Sequence, residues 1–384
     1  MTKTIVLSGS LAQRPGHGGH TWVFLQYLLG FKRLGWEVIF VDWLAPEMCV
    51  DQNRRPCPIE HSWNLAYFTN VMERFGLADA FSLICDGGRR IFGLSRELLL
   101  KKMKSAAFLF NIMGFLKDPE IIEAAQRRVF LDIDPGFGQM WCELDLSNIF
   151  VGHDDFVTIA ENIGRADCAI PTCGLHWITT AQPVVLEHWL AHPDVHRNGF
   201  TTIGTWRGRF APIEYKNKTY GLRAHEFRKF ARLPALSGEQ FALALDIDPA
   251  EEKDLALLAG NNWSIVDPSE AAGDPWRYRQ FVQDSKAEFL VAKNMYVETR
   301  GGWFSDRSIC YLASGRPVLA QRTGWSYPDG NGLVGFSTLE EAVSGARQIS
   351  ENYAEHSRSA REIAESRFDS DKVLARLLEK LQVQ

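Results

Sequence analysis

Apolar residues run through Ile5, Val6 and Leu7 and stop at Ser8-Gly9-Ser10. A run of that length closed by turn residues reads as a buried strand. A glycine-rich stretch from Pro15 to His20 follows, and from Thr21 the apolar positions Phe24, Leu25, Leu28, Leu29 and Phe31 recur at helical spacing up to Gly35. Glu37 to Asp42 reads as the next strand, so the opening residues form a βαβ unit, with parallel strands and a right-handed crossover. Further strands are predicted at 81–85, 106–112, 128–132 and 168–171. After the polar, turn-rich 191–199 a new apolar strand opens at Phe200 to Trp206. The same alternation resumes there, with strands predicted at 241–245, 264–266, 287–292, 317–320 and 332–336. Residues 339–381 read as mostly helical, broken at Phe368-Asp369-Ser370. This is the grammar of open α/β sheets, in two units divided at 199/200: an N-terminal domain of residues 1–199 and a C-terminal domain of 200–384.

Composition narrows the picture. A length of 384 residues suits two or three domains. The formal charge of −5 carries no basic excess, which argues against a general nucleic-acid binder. With 46% hydrophobic and 23% charged residues the chain is neither disordered nor membrane-like in composition. Its most apolar stretch, 106–116, is interrupted by Asn111 and falls short of the ~20 residues of a spanning helix. No transmembrane segment is expected, and peripheral membrane contact is left open. The apolar opening is too short for a signal-peptide core. Seven cysteines without repeated metal-ligand spacing suit a reducing cytoplasm, with Cys168 and Cys173, the closest pair in sequence, read as structural thiols.

Three segments could carry chemistry. In open parallel sheets ligands bind beyond the carboxyl ends of strands, where glycines let backbone and ligand approach. Gly16-His17-Gly18-Gly19-His20 sits at such a place; it lacks the G-x-G-x-x-G spacing of a dinucleotide site, and either histidine could act as a general base or simply hydrogen-bond a turn. Asp132 and Asp134 close the 128–132 strand. Asp134 is read as holding a substrate hydroxyl or orienting a histidine, the alternative being a turn anchor, and no metal is assigned. The third segment runs from Lys293 to Gly324. Ser305 is a natural N-cap with Asp306 in the first helical turn, and the loop Gly301-Gly302-Trp303-Phe304 precedes it. Thr323-Gly324 follows the next strand, so two loops converge on one sheet edge.

Here the chain resembles the nucleotide-sugar-dependent glycosyltransferases of the GT-B fold. The matching residues are Gly302-Trp303-Phe304-Ser305, Tyr311-Leu312-Ala313-Ser314-Gly315-Arg316-Pro317-Val318, and Gly332 to Phe336 before Leu339-Glu340-Glu341-Ala342. Near the start, Gly18-Gly19-His20 and Leu34-Gly35-Trp36-Glu37-Val38 are similar to the family's first loop and second strand. The resemblance implies two Rossmann-like domains facing across a cleft. The first would bind the acceptor and the second the nucleotide-diphosphate sugar, with the last helix crossing back to the first domain. It implies a hexosyltransferase-like, cytoplasmic enzyme of glycoconjugate or natural-product synthesis, using a sugar donor and a hydroxyl acceptor without a tightly bound cofactor. Many retaining members carry two glutamates where this chain has Gly302 and Cys310, which points to inverting, metal-independent transfer. His20, with His17 as competitor, is then the candidate base. Arg207 is the first choice for the cation facing the leaving diphosphate, with Lys293 and Arg307 as alternatives, and Asp306 would bond ribose or sugar. Trp22, Trp177, Trp206 and Trp303 offer stacking faces, or else core packing. A nucleotide-sugar epimerase of the same fold, and a non-catalytic nucleotide-sugar-binding protein, remain as alternatives.

Overall fold

The computed structural model describes residues 3–192, 194–208, 210–221 and 223–383. The first sheet contains β1 (Thr4–Ser8), β2 (Glu37–Leu44), β3 (Phe81–Cys85), β4 (Arg90–Gly93), β5 (Phe108–Ile112), β6 (Arg128–Asp132), β7 (Asp155–Thr158) and β8 (Trp177–Thr179). Their spatial order is β4-β3-β2-β1-β5-β6-β7-β8. All neighbours are parallel except β3 and β4, which form a hairpin. Strands β1, β3 and β5 are buried along their whole length. That is why they read as continuous apolar runs rather than alternating ones.

A second sheet begins with β9 (Arg197–Thr205), which leads into a small antiparallel hairpin of β10 (Ile213–Tyr215) and β11 (Lys218–Tyr220). The sheet continues through β12 (Phe241–Asp246), β13 (Trp263–Val266), β14 (Ser285–Leu290), β15 (Val318–Gln321) and β16 (Leu333–Phe336), in the order β13-β12-β9-β14-β15-β16. Every pair in it is parallel. Each sheet therefore has one place where strand order reverses, between β1 and β5 in the first and between β9 and β14 in the second. Crevices open at such switch points.

The expected strand at 168–171 is a loop instead, because Ala169 donates its N–H to the Thr299 carbonyl of the other half at 2.8 Å. The strands not anticipated, β4, β7, β8 and the β10–β11 hairpin, have three or four residues each, too few for periodicity to register. The first helix starts at Gly18 rather than Thr21, since its opening glycines contribute no side-chain pattern.

The chain passes between the halves twice. Val184 donates its N–H to the Phe368 carbonyl at 2.7 Å, and Ser370 N–H returns to the Val184 carbonyl at 2.9 Å. Residues Ala364–Phe368 form a π-helical turn there. The final helix, Ser370–Lys380, then packs on Gly18–Arg33 with Leu374 and Leu377 buried. Arg33 forks onto both Asp371 oxygens at 2.9 Å. Among the described residues no helix is long and apolar enough to cross a membrane.

Candidate active site in the cleft between the two sheets

The two switch points face each other. From the first half come the Gly16–His20 segment after β1 and the Asp134 turn after β6; from the second come the residues after β9 and β14 and the start of the Asp306–Ala313 helix. Contact between the halves is close. A Cβ on Gly18 would stand 2.1 Å from the Asp274 carbonyl oxygen, and one on Gly19 would meet the Tyr278 ring. Trp22 donates its indole N–H to the Pro275 carbonyl at 2.8 Å. Between Gly19, Trp22 and Gln26 on one side and Tyr278, Asp306 and Cys310 on the other lies a narrow recess of about 10 Å³, room for about one water molecule.

Charge is concentrated on the second-half side of this seam. Arg307 donates from Nε to Glu288 Oε1 and from Nη1 to the Ile203 carbonyl, both at 2.6 Å. Arg223 lies beside it over the carboxyl end of β9, so close that a Cβ on Gly204 would stand 2.2 Å from its Nη2. Among the described residues none accepts a hydrogen bond or forms an ion pair with the Arg223 guanidinium. Burial, reinforced by the charge of Arg307, lowers its pKa to about 10. A guanidinium kept partly out of water with no counter-ion is costly unless an anion arrives.

Asp134 reaches across from the first half. Its oxygens take hydrogen bonds from Lys293 Nζ at 2.9 and 3.0 Å and from the Tyr296 hydroxyl. Tyr296 stacks on Trp303 with ring centroids 4.0 Å apart, and burial, then the Asp134 charge, hold its phenol well above the usual range. Burial also pushes the Asp306 carboxyl up, Asp134 adding to the effect and Arg307 opposing it. Behind the turn, Asp132 is buried on Gln139 Nε2 at 2.6 Å and Thr158 Oγ1 at 2.9 Å, with its pKa raised to about 7 by desolvation.

His20 holds its Nε2 3.1 Å from both Ser10 Oγ and the Ser10 carbonyl, and its ring is set edge-on to Phe24. A proton on Nε2 shared with that carbonyl leaves the lone pair on Nδ1. Burial lowers its pKa to about 4, against the pull of Ser10. His17 forms the N-cap of the Gly18–Arg33 helix, with Nδ1 3.2 Å from the Pro15 carbonyl.

Several expected positions lie elsewhere. Arg207 already has a counter-ion: its side chain is 61% exposed and paired with Glu251 in a two-pronged ion pair. The loops of Gly302 and of Thr323-Gly324 do converge, Gly302 N–H donating to the Thr323 carbonyl at 3.0 Å and Thr323 Oγ1 to the Trp303 carbonyl. Asn162 of the first half grips them, donating Nδ2 to the Arg300 carbonyl at 3.0 Å and the Gly324 carbonyl at 2.8 Å. Phe304 is buried against Phe368. Ser305 Oγ accepts the Arg307 N–H at 3.2 Å, the predicted cap. Trp22 and Trp206 are core residues, Trp206 donating to Asp254 at 2.6 Å, and Trp177 packs among Phe130, Phe150 and Phe156. Sequence reasoning missed Arg223, Tyr296, Tyr278, Glu288 and Asn162. The one local hint was Gly221, two residues before Arg223, whose φ of 97° turns the chain back toward β9. Among the described residues no three His, Cys, Asp or Glu side chains are grouped to hold a metal ion.

No protein-family model matches the chain, and no curated protein matches its sequence. Solved structures match it over their full length. An alpha-glucosyltransferase in complex with UDP and a 13-mer DNA containing an HMU base is 11% identical, with 99% of each chain covered and a TM-score of 0.57. The pneumococcal O-GlcNAc transferase GtfA, in complex with UDP and GlcNAc, is 11% identical over 99% of both chains at 0.51. OtsA in its apo form is 10% identical over all of both chains, also at 0.51. The fold is therefore GT-B, with two Rossmann-like halves facing across a cleft.

Proposed function

We propose that this protein transfers a hexosyl group from a nucleotide-diphosphate sugar to an acceptor hydroxyl. The observation that carries the reading is Arg223, an uncompensated guanidinium set over Gly204 at the switch point of the second sheet, beside Arg307. A diphosphate is the anion its geometry suits, because planar guanidinium donors match phosphate oxygens. As the sugar–oxygen bond breaks, charge grows on the departing diphosphate. Arg223, with Arg307 and Lys293 nearby, would stabilise that charge in a site that excludes water, where fixed donors are most effective. Cations in this number supply what a bound metal would otherwise supply, so the transfer is metal-independent.

In this reading the acceptor hydroxyl enters from the first half and gives its proton to His20 Nδ1 while the sugar inverts. Asp134, released from Lys293 when donor phosphate takes that lysine, would bind a substrate hydroxyl. The fold relatives named above hold UDP, in two cases, which makes UDP the first nucleotide to test. An acceptor other than nucleic acid is proposed, since a formal charge of −5 carries no basic excess for a phosphate backbone.

The deciding experiment is calorimetric titration with UDP, GDP, dTDP and ADP, EDTA present, on the wild type, Arg223→Ala and Arg207→Ala. One nucleotide should bind, weaken at least tenfold in Arg223→Ala and stay unchanged in Arg207→Ala. Equal binding by Arg223→Ala and wild type would move the phosphate site elsewhere. Proton NMR of the product anomer then separates inversion from retention, and binding without any transfer or hydrolysis would favour a nucleotide-sugar-binding protein.

A further inference from the structure

Spacing along the chain pairs Cys173 with Cys168, but folding pairs it with Cys142. Cys142 lies on the Phe137–Glu143 helix, and Cys173 occupies a left-handed position, φ 54°, in a turn closed by Leu175 N–H on the Thr172 carbonyl at 3.0 Å. The Cys173 thiol donates to the Gln139 carbonyl at 3.2 Å, one helical turn before Cys142 on the same helix, which makes the two thiols neighbours. Both residues are partly exposed, so a small oxidant in solvent can reach them. Burial first, and then the neighbouring Cys142, push the Cys173 thiol up to about 12, so Cys142 and not Cys173 is the thiol assigned to meet the oxidant.

We propose that Cys142 and Cys173 form a reversible disulfide when the protein meets a peroxide. The first step moves one peroxide oxygen to Cys142 Sγ, giving a sulfenic acid and an alcohol or water. In the second, Cys173 sulfur attacks Cys142 sulfur: the S–S bond forms, the S–O bond breaks, and the hydroxide leaves as water with the Cys173 proton. Two thiols lose two electrons and the peroxide gains them; a dithiol reductant reverses the change.

The bond would join two arms that grip one helix of the other half. The Cys142 arm starts at Gly136, where a Cβ would stand 2.5 Å from Met295 Sδ. The Cys173 arm carries Ala169, bonded to the Thr299 carbonyl at 2.8 Å, and Ile170, packed on Gly301. Between them lies the Asn294–Thr299 helix with Tyr296, directly after Lys293. Oxidation would stiffen this cradle. The inference rests on the thiols and their neighbours and holds whether or not a sugar is transferred.

The test treats the full-length protein with graded hydrogen peroxide, then with dithiothreitol, and reads intact mass, peptide linkage and thermal midpoint. Expected are a loss of two hydrogens, a Cys142–Cys173 linked peptide, a midpoint raised by several degrees, and return to the starting state on reduction. Cys142→Ser and Cys173→Ser should each abolish the linkage, and Cys168→Ser should leave it intact. A Cys168–Cys173 link, sulfinic acid at Cys142 in place of a disulfide, or an unchanged midpoint in the linked wild type would overturn the proposal.

Discussion

Arg223 and Arg307 stand side by side, yet the carboxylate of Glu288 serves Arg307 alone. The unanswered charge is the ground on which an anion is proposed there. His20 poses the complementary question, because a base must be unprotonated to accept a proton, and desolvation has already moved its pKa to about 4. Lowering pH from 8 to 5.5 should therefore leave His20 neutral and turnover nearly flat. The rate should fall only as pH drops through about 4, whereas an ordinary imidazole, with a pKa near 6.5, would halve it there. A pH–rate profile with an inflection near 6.5 would remove His20 from the role. His20→Ala should cost on the order of 10²-fold in turnover with nucleotide affinity retained, measured by steady-state kinetics beside calorimetry.

At the scale of elements, the Gly18–Arg33 helix is fitted to its counterpart across the seam by what its first turn lacks. Alanine normally improves a helix position by roughly 1 kcal/mol over glycine. At Gly18 the sign should reverse, since the added methyl meets the Asp274 backbone, which cannot swing aside. Gly18→Ala should separate the halves, enlarge the radius of gyration in small-angle X-ray scattering and weaken nucleotide binding; unchanged scattering and affinity would show that the seam tolerates it. The same scale explains what was legible in the chain. Continuous apolar runs named β1, β3, β5 and β6, and Ser305 announced its helix, because those signals lie within a few residues. Arg207 and Arg223 both follow β9, and no local pattern separates them. The β10–β11 hairpin and Gly221 carry Arg223 back over Gly204, while Arg207 finds Glu251, which lies 44 positions further on. Asn162, reaching Gly324 from the other half, was invisible for the same reason.

For the whole molecule, the last helix closes the first half from outside. Arg127 Nη1 donates to the Leu381 carbonyl at 2.6 Å and Lys380 Nζ to the Thr179 carbonyl at 2.7 Å, so the tail is fastened at both β5–β6 and β8. Leu374, fully buried against Gly30, is the centre of that contact. Leu374→Ala should cost roughly 2–5 kcal/mol, read from urea unfolding, and the loss should fall on the first half before the second; equal denaturation of wild type and variant would mean the tail is dispensable. The two passes of chain between the halves have a mechanical consequence. Where Val184 and Asp369 run side by side, held by backbone bonds above and below, the molecule has something like a pin through a pair of jaws. Sliding one jaw along the other would shear both threads at once, while swinging them about the pin strains neither. Any opening of the halves would thereby be channelled into a single angle, and Asp134 and Lys293, on opposite jaws, would part as that angle widens.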